Sequence, residues 1–246
     1  MHLARYQMVK GQSRDAGTQS ARAVLESRHY RCPRAVVVTV MQSLDRQSLD
    51  AAITILAQRD SVLGSLVQRW GAPPLWRRPA SFRTLVLIVM EQKISLASAQ
   101  AVMQRIDVLC QPFTPQVFLS VEPLMIRKAG ASHAKIDYCR SIAAALLEKR
   151  LVLESLTNKA DAEVVDELVA VRGIGPWTAG VFLTMALCRR DAWPSGDRAL
   201  AVSVAESWQL DAVPDYPSLD ARAEAWRPYR GAASRLLWHA YLSRRA

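Results

Sequence analysis

The chain has 246 residues, half of them hydrophobic, and a formal net charge of +10. That length allows one large core or two small ones. No uninterrupted apolar run reaches the ~20 residues of a membrane-spanning helix, which excludes a helical membrane protein and predicts a soluble globular chain. The charge is enough for long-range attraction to a polyanion, although a solvated basic surface is an equal reading of charge alone.

Cys32, Cys110, Cys139 and Cys188 lie far apart without a C-x-x-C pair, and His2, His29, His133 and His239 form no ligand-like cluster. No zinc site, other metal site or disulfide framework is expected, and the thiols should be free in a reducing compartment. The first residues, Met1-His-Leu-Ala-Arg-Tyr6, lack the apolar block of a secretory signal. The expected location is cytoplasmic or nucleoid-associated, or nuclear in a eukaryote.

In chain order, residues 1–45 read as a basic N-terminal extension, partly ordered at most. Arg5, Lys10, Arg14, Arg22, Arg28, Arg31 and Arg34 are spread there among Gln, Ser, Gly and Thr. Ala35–Met41 is a β-branched run that fits a short strand or the buried lead into a helix. Residues 46–246 read as a single all-α domain. Leu49, Ile53 and Leu56, then Val62, Leu66 and Val67, recur at helical spacing up to the breaker Gly71-Ala-Pro-Pro74. Phe82–Met90 is apolar on nearly all sides and predicts a central helix. Ala97–Ile106 continues in helical composition, and Pro112, Pro115 and Pro123 then punctuate a connection. Further helices are predicted over His133–Leu147, Ala162–Val171, Thr178–Leu187, Leu200–Trp208, Ala221–Trp226 and Ala232–Leu242.

The most informative stretch is Val171-Arg-Gly-Ile-Gly-Pro-Trp-Thr-Ala179, followed by Trp193-Pro-Ser-Gly-Asp-Arg198. A Gly-x-Gly turn between two helices can offer backbone N–H groups to a phosphate oxygen, and the next helix adds its N-terminal dipole. Asp197 follows Trp177 by 20 positions, within reach of the sugar beside that phosphate. Asp197 also stands where it could simply cap the helix starting at Arg198.

The first segment resembles the hairpin of the helix-hairpin-helix family, and Gly196-Asp197 resembles the aspartate that completes the motif in the helix-hairpin-helix DNA glycosylases. The likeness is nearest to the DNA-3-methyladenine glycosylase II branch. Pro73–Arg78, Glu91–Ser98 and Trp226–Ser234 agree with it, so that it covers roughly residues 45–242. The resemblance implies two helical subdomains flanking a DNA-binding cleft, and a monomer acting on damaged double-stranded DNA. It also implies hydrolysis of the N-glycosidic bond of alkylated purines without strand cleavage. No organic cofactor is implied, although the hairpin carbonyls could take a monovalent cation.

Residue by residue, the resemblance gives Asp197 the catalytic role, stabilising positive charge on the deoxyribose as the base leaves. Trp177 stands where strand-cleaving relatives carry a Schiff-base lysine, and tryptophan cannot do that chemistry. It is read as a wall of the base pocket, or alternatively as a core tryptophan with its indole N–H satisfied. Tyr229 and Gln92 are the other base-pocket candidates. Gly173, Gly175, Thr178 and Arg230 are assigned to the DNA backbone. Lys93 and Ile94 occupy the turn that probes the base stack during extrusion. Lys135 and Tyr138 share a helix face that could meet DNA or pack inward, and Trp226 and Trp238 read as core. A glycosylase for a deaminated or oxidised base, and a non-catalytic DNA-binding module, are the alternatives.

Overall fold

The computed structural model describes residues 43–246. The basic extension up to residue 42 and the Ala35–Met41 run lie outside the described residues. Helices α1 (Arg46–Arg59), α2 (Ser61–Trp70), α3 (Phe82–Glu91), α4 (Leu96–Leu109), α5 (Pro115–Ser120), α6 (Pro123–Lys128) and α7 (His133–Leu147) come first. They are followed by α8 (Leu153–Leu156), α9 (Asp161–Val169), α10 (Pro176–Met185), α11 (Arg198–Ser207), α12 (Tyr216–Ala223), a 3-10 turn at Glu224–Trp226, and α13 (Arg230–Ser243). Among the described residues the only β-type pairing noted is an isolated bridge between Ser43 and Arg189. None of these helices is long and apolar enough to cross a membrane.

Local chemistry sets the boundaries. Asp45 and Ser48 close a capping box at the start of α1, and the Asp60 carboxylate accepts the first free amides of α2. Asp60 therefore splits what the apolar spacing alone reads as one long segment. Ser81, Ser95, Thr114, Ser132 and Asp215 cap α3, α4, α5, α7 and α12 in the same way. The connection expected around Pro115 and Pro123 instead contains two short helices, each with its proline in the first turn. Proline is tolerated there because that N–H has no partner within the helix anyway.

The helices form two packing groups. In one, α3 is the centre: Leu85, Val86, Ile88 and Val89 are fully buried, and α4, α7 and α10 pack on it. In the other, α1, α2 and α11 pack around α13, whose buried residues run from Gly231 to Ala240. The arrangement is all-α, as the sequence predicts, with α10 at the junction of the two groups.

The hairpin is α9, a turn over residues 170–175, and α10. Val171 and Ile174 are buried under the turn, and the Ile174 amide donates to the Val171 carbonyl at 3.1 Å. Gly173 has φ +99°, and a Cβ there would overlap the Cβ and ring of Tyr138 on α7. The room that glycine leaves in the Cβ direction at 173 is therefore filled by Tyr138. Gly175 differs: nothing lies within 4 Å of a Cβ built on it. The open approach to the turn is at Gly175 and the N-terminus of α10.

Gly173→Ala combines backbone strain with overpacking and is expected to destabilise the fold by about 2–4 kcal/mol. Gly175→Ala should stay within ~0.5 kcal/mol of wild type, as an open surface position does. Denaturant midpoints of the two variants check this difference; equal losses would show that Tyr138 does not set the requirement at 173.

Candidate active site

Asp197 is 6% exposed and begins α11. Its Oδ1 accepts the Leu200 amide at 2.9 Å and the Trp238 indole N–H at 3.2 Å, and its Oδ2 accepts the Trp177 indole N–H at 2.8 Å. One carboxylate thus links α11, α10 and α13. The capping role weighed from the sequence is present, and the same side chain also meets two tryptophans from other helices.

Sequence placed Asp197 in this loop; packing puts it against the hairpin. Gly180 on α10 lets the loop lie directly on the helix, for a Cβ at 180 would stand 2.6 Å from Pro194 Cα and 2.8 Å from the Trp193 carbonyl. The chain then turns through Gly196 at φ +84° and enters α11. Trp193 and Ser195 are held by Asp220, through an indole bond of 2.7 Å and a hydroxyl bond of 2.5 Å.

Trp177 is half-buried with its indole N–H satisfied by Asp197. Trp238 is the residue that sequence reasoning missed. It lies on the apolar face of α13, 8% exposed, and was read as ordinary core. The available signal was chemical: a buried indole N–H needs an acceptor, and a buried aspartate needs donors.

The other candidates sit elsewhere. Gln92, at the end of α3, donates its amide to the Gly173 carbonyl at 3.3 Å and to Thr178 Oγ1 at 3.0 Å. It therefore braces the hairpin and is not brought to Asp197. Thr178 is 1% exposed, so its hydroxyl serves that brace and cannot reach a phosphate. Arg230, partly buried, pairs with Asp191 and Glu224. Tyr229 lies between Arg59 and Arg190, at 5.6 and 5.3 Å from its ring centre. Trp238 lies nine positions further along, about 13 Å along the axis of α13.

Lys93 and Ile94 form the tight turn between α3 and α4. Lys93 has φ +59°, and Ile94 is 44% exposed, an apolar side chain displayed at the tip. Behind the turn, Glu91 is 8% exposed and forms a two-bond pair with Arg78, at 2.7 and 2.9 Å. Lys135 donates Nζ to the Met90 carbonyl at 2.8 Å, and burial lowers its ammonium below the usual lysine range.

The α10 N-terminus has Pro176 in its first turn and no side-chain cap, and exposed Arg172 and Arg198 flank the hairpin and Asp197. Uncapped amides and dipole make that end attractive to an anion. Within the turn, the Val171 and Gly173 carbonyls accept from the Ile174 amide and the Gln92 side chain.

No family model matches the chain. The YfjP protein of Bacillus subtilis is 25% identical over 185 residues, 72% of this chain and 64% of that protein. The chain thus spans somewhat less than two thirds of that relative. DNA-3-methyladenine glycosylase 1 of Schizosaccharomyces pombe is 24% identical over 213 residues, covering 80% and 92% of the two chains. Among solved structures, S. pombe 3-methyladenine DNA glycosylase in complex with abasic DNA superposes with a TM-score of 0.71 at 23% identity, over 80% of this chain and 97% of that one. A DNA-3-methyladenine glycosidase from Bacillus halodurans gives a TM-score of 0.63 at 28% identity, over 77% and 88%. Hairpin, buried aspartate and these likenesses agree: the chain is similar in sequence and in all-α fold to the 3-methyladenine DNA glycosylases among these proteins.

Proposed function

We propose that the chain is a monofunctional DNA glycosylase that hydrolyses the N-glycosidic bond of alkylated purines, of the 3-methyladenine type, in duplex DNA. The observation that carries this reading is the Asp197 carboxylate, buried between the hairpin tryptophan and α13. The names carried by the similar proteins support the same substrate class.

In the reaction the C1′–N bond breaks and its electron pair leaves with the base. Positive charge then develops over C1′ and the ring oxygen of the deoxyribose. A carboxylate shielded from bulk water stabilises that charge more strongly than it would in solvent. Water adds to C1′ and loses a proton, giving free base and an abasic site. A purine alkylated at N3 or N7 is already cationic and leaves as a neutral molecule, so it needs no proton from the enzyme. The hydrogen-bond partners of Asp197 are two indoles and an amide, none of them an acid at neutral pH. A neutral lesion would need such an acid more, which favours the alkylated class.

For the DNA itself, the uncapped α10 N-terminus and open Gly175 hold a phosphate, with Arg172 and Arg198 beside it. The turn carrying Lys93 and Ile94 enters the space left by the extruded nucleotide. Base flipping makes such a wedge necessary, because the glycosidic carbon is otherwise enclosed in the stack.

Asp197→Asn should lower single-turnover base release from an alkylated duplex on the order of 10² or more, with affinity for damaged DNA within a few fold. The amide oxygen can still accept from Leu200 and Trp238, but the amide nitrogen would face the Trp177 N–H, donor against donor. The assay therefore belongs well below the variant's own melting temperature. Near-normal release from the folded variant would overturn the role given to Asp197.

A second test addresses the strand. Trp177 cannot form an imine, and Lys135 is held on the Met90 carbonyl. Borohydride present during turnover should trap no protein–DNA adduct, and nicks should appear only after alkali or heat. An adduct forming at the rate of base release would make the enzyme bifunctional.

A further inference from the structure

We propose that Trp177 and Trp238 are positioning residues for Asp197: their indole N–H groups fix the carboxylate and leave one acceptor position, on Oδ2, for the sugar. The inference rests on the reading of Asp197 as the catalyst. A carboxylate oxygen has about two acceptor positions. Oδ1 is filled by the Leu200 amide and Trp238, whereas Oδ2 accepts only from Trp177 among the described residues. With donors arriving from three helices, neither torsion of the side chain can change without breaking a bond to a nearly buried charged group.

Both tryptophans are themselves held. Trp238 lies one helical turn after Arg235, which is fully buried and donates to the carbonyls of Leu75, Thr184 and Gly231. These bonds set the register of α13 against the end of α10. Trp177 occupies the first turn of α10, where Pro176 and the hairpin fix the backbone. The distance from Trp177 to Trp238 is therefore governed by two helices that are tied together independently of Asp197. With both N–H groups committed to the carboxylate, the indoles have only ring faces and edges to offer a base.

Phenylalanine at either position keeps an aromatic ring and removes the donor. With enzyme in excess, Trp177→Phe and Trp238→Phe should each lower the maximal rate of base release from a single-lesion duplex about 10- to 100-fold, the range for losing a hydrogen bond to a charged group. The half-saturating enzyme concentration should change less than about threefold. Denaturant unfolding identifies the temperature at which each variant is folded, and rates are compared there.

A direct readout uses the seven tryptophan indole N–H resonances in a nitrogen-15 correlation spectrum. Asp197→Asn should move the signals of Trp177 and Trp238. Those of Trp193 and Trp226, which donate to Asp220 and Asp60, should stay in place as internal controls. Wild-type maximal rates in both phenylalanine variants, or a change in half-saturation alone, would overturn the positioning role and leave the tryptophans as walls. Unmoved Trp177 and Trp238 signals in Asp197→Asn would overturn it too. Full base release by Asp197→Asn is a different outcome, since it would remove the catalytic reading of Asp197 on which the positioning role rests.

Discussion

The path of residues 189–197 is the constraint on which the rest of the site depends. This segment has to pass close to α10 and α13 at once, and glycine makes both approaches feasible. At Gly180 the backbone of Trp193–Pro194 lies where a side chain would otherwise stand. At Gly231 the carbonyls of Arg189 and Arg190 do the same, and the Gly231 amide donates to the Arg190 carbonyl at 2.9 Å. Interiors packed to this density do not absorb an extra methyl without moving backbone. A shift of the loop by that amount would separate Asp197 from Trp177, because a hydrogen bond of 2.8 Å tolerates only a few tenths of an ångström.

Buried charge holds the same region from behind. Arg189, 3% exposed, donates to the carbonyls of Leu156, Thr157 and Lys159 at the short helix α8 and its exit. Arg235 carries out the corresponding task between the 71–80 segment, α10 and α13, and burial pushes its guanidinium below the usual arginine range. Such groups are costly to bury and contribute little net stability, yet removing one leaves several carbonyls without donors. Their effect is to specify geometry. Each is placed where a helix end or an irregular segment has carbonyls that no regular structure satisfies, next to the path that delivers Asp197.

Most of the fold was legible because amphipathic spacing and caps are local. His133–Leu147 was read to the residue, and the other long helices to within a few residues of their ends, with α12 the exception because Pro217 and its Asp215 cap extend it upstream. What failed depended on competition that pattern cannot weigh. Asp60 as a cap outweighs the continuous apolar spacing around it, and Pro115 and Pro123 open helices rather than separate them. In the site, the nearness of Trp177 and Asp197 follows from the one short helix and one loop that connect them. The contacts of Trp238, Tyr229 and Arg230 were not legible, since they depend on partners 39 to 41 residues away in sequence. The ion pairs of Arg230 with Asp191 and Glu224 are set by tertiary packing, which sequence pattern does not reveal.

For Asp197, the observed cap and the proposed catalytic role are compatible. A cap fixes the backbone at the start of α11 and, through the Leu200 amide, one oxygen of the carboxylate. That leaves the second oxygen oriented but not consumed. A catalytic carboxylate would need this same property, a fixed direction with a free acceptor position, and a cap at a helix N-terminus supplies it. The two indoles complete the restraint from outside the helix. Structure and chemistry are therefore satisfied by one set of bonds, and the residue that looks most like an ordinary cap is for that reason well placed to face a developing cation.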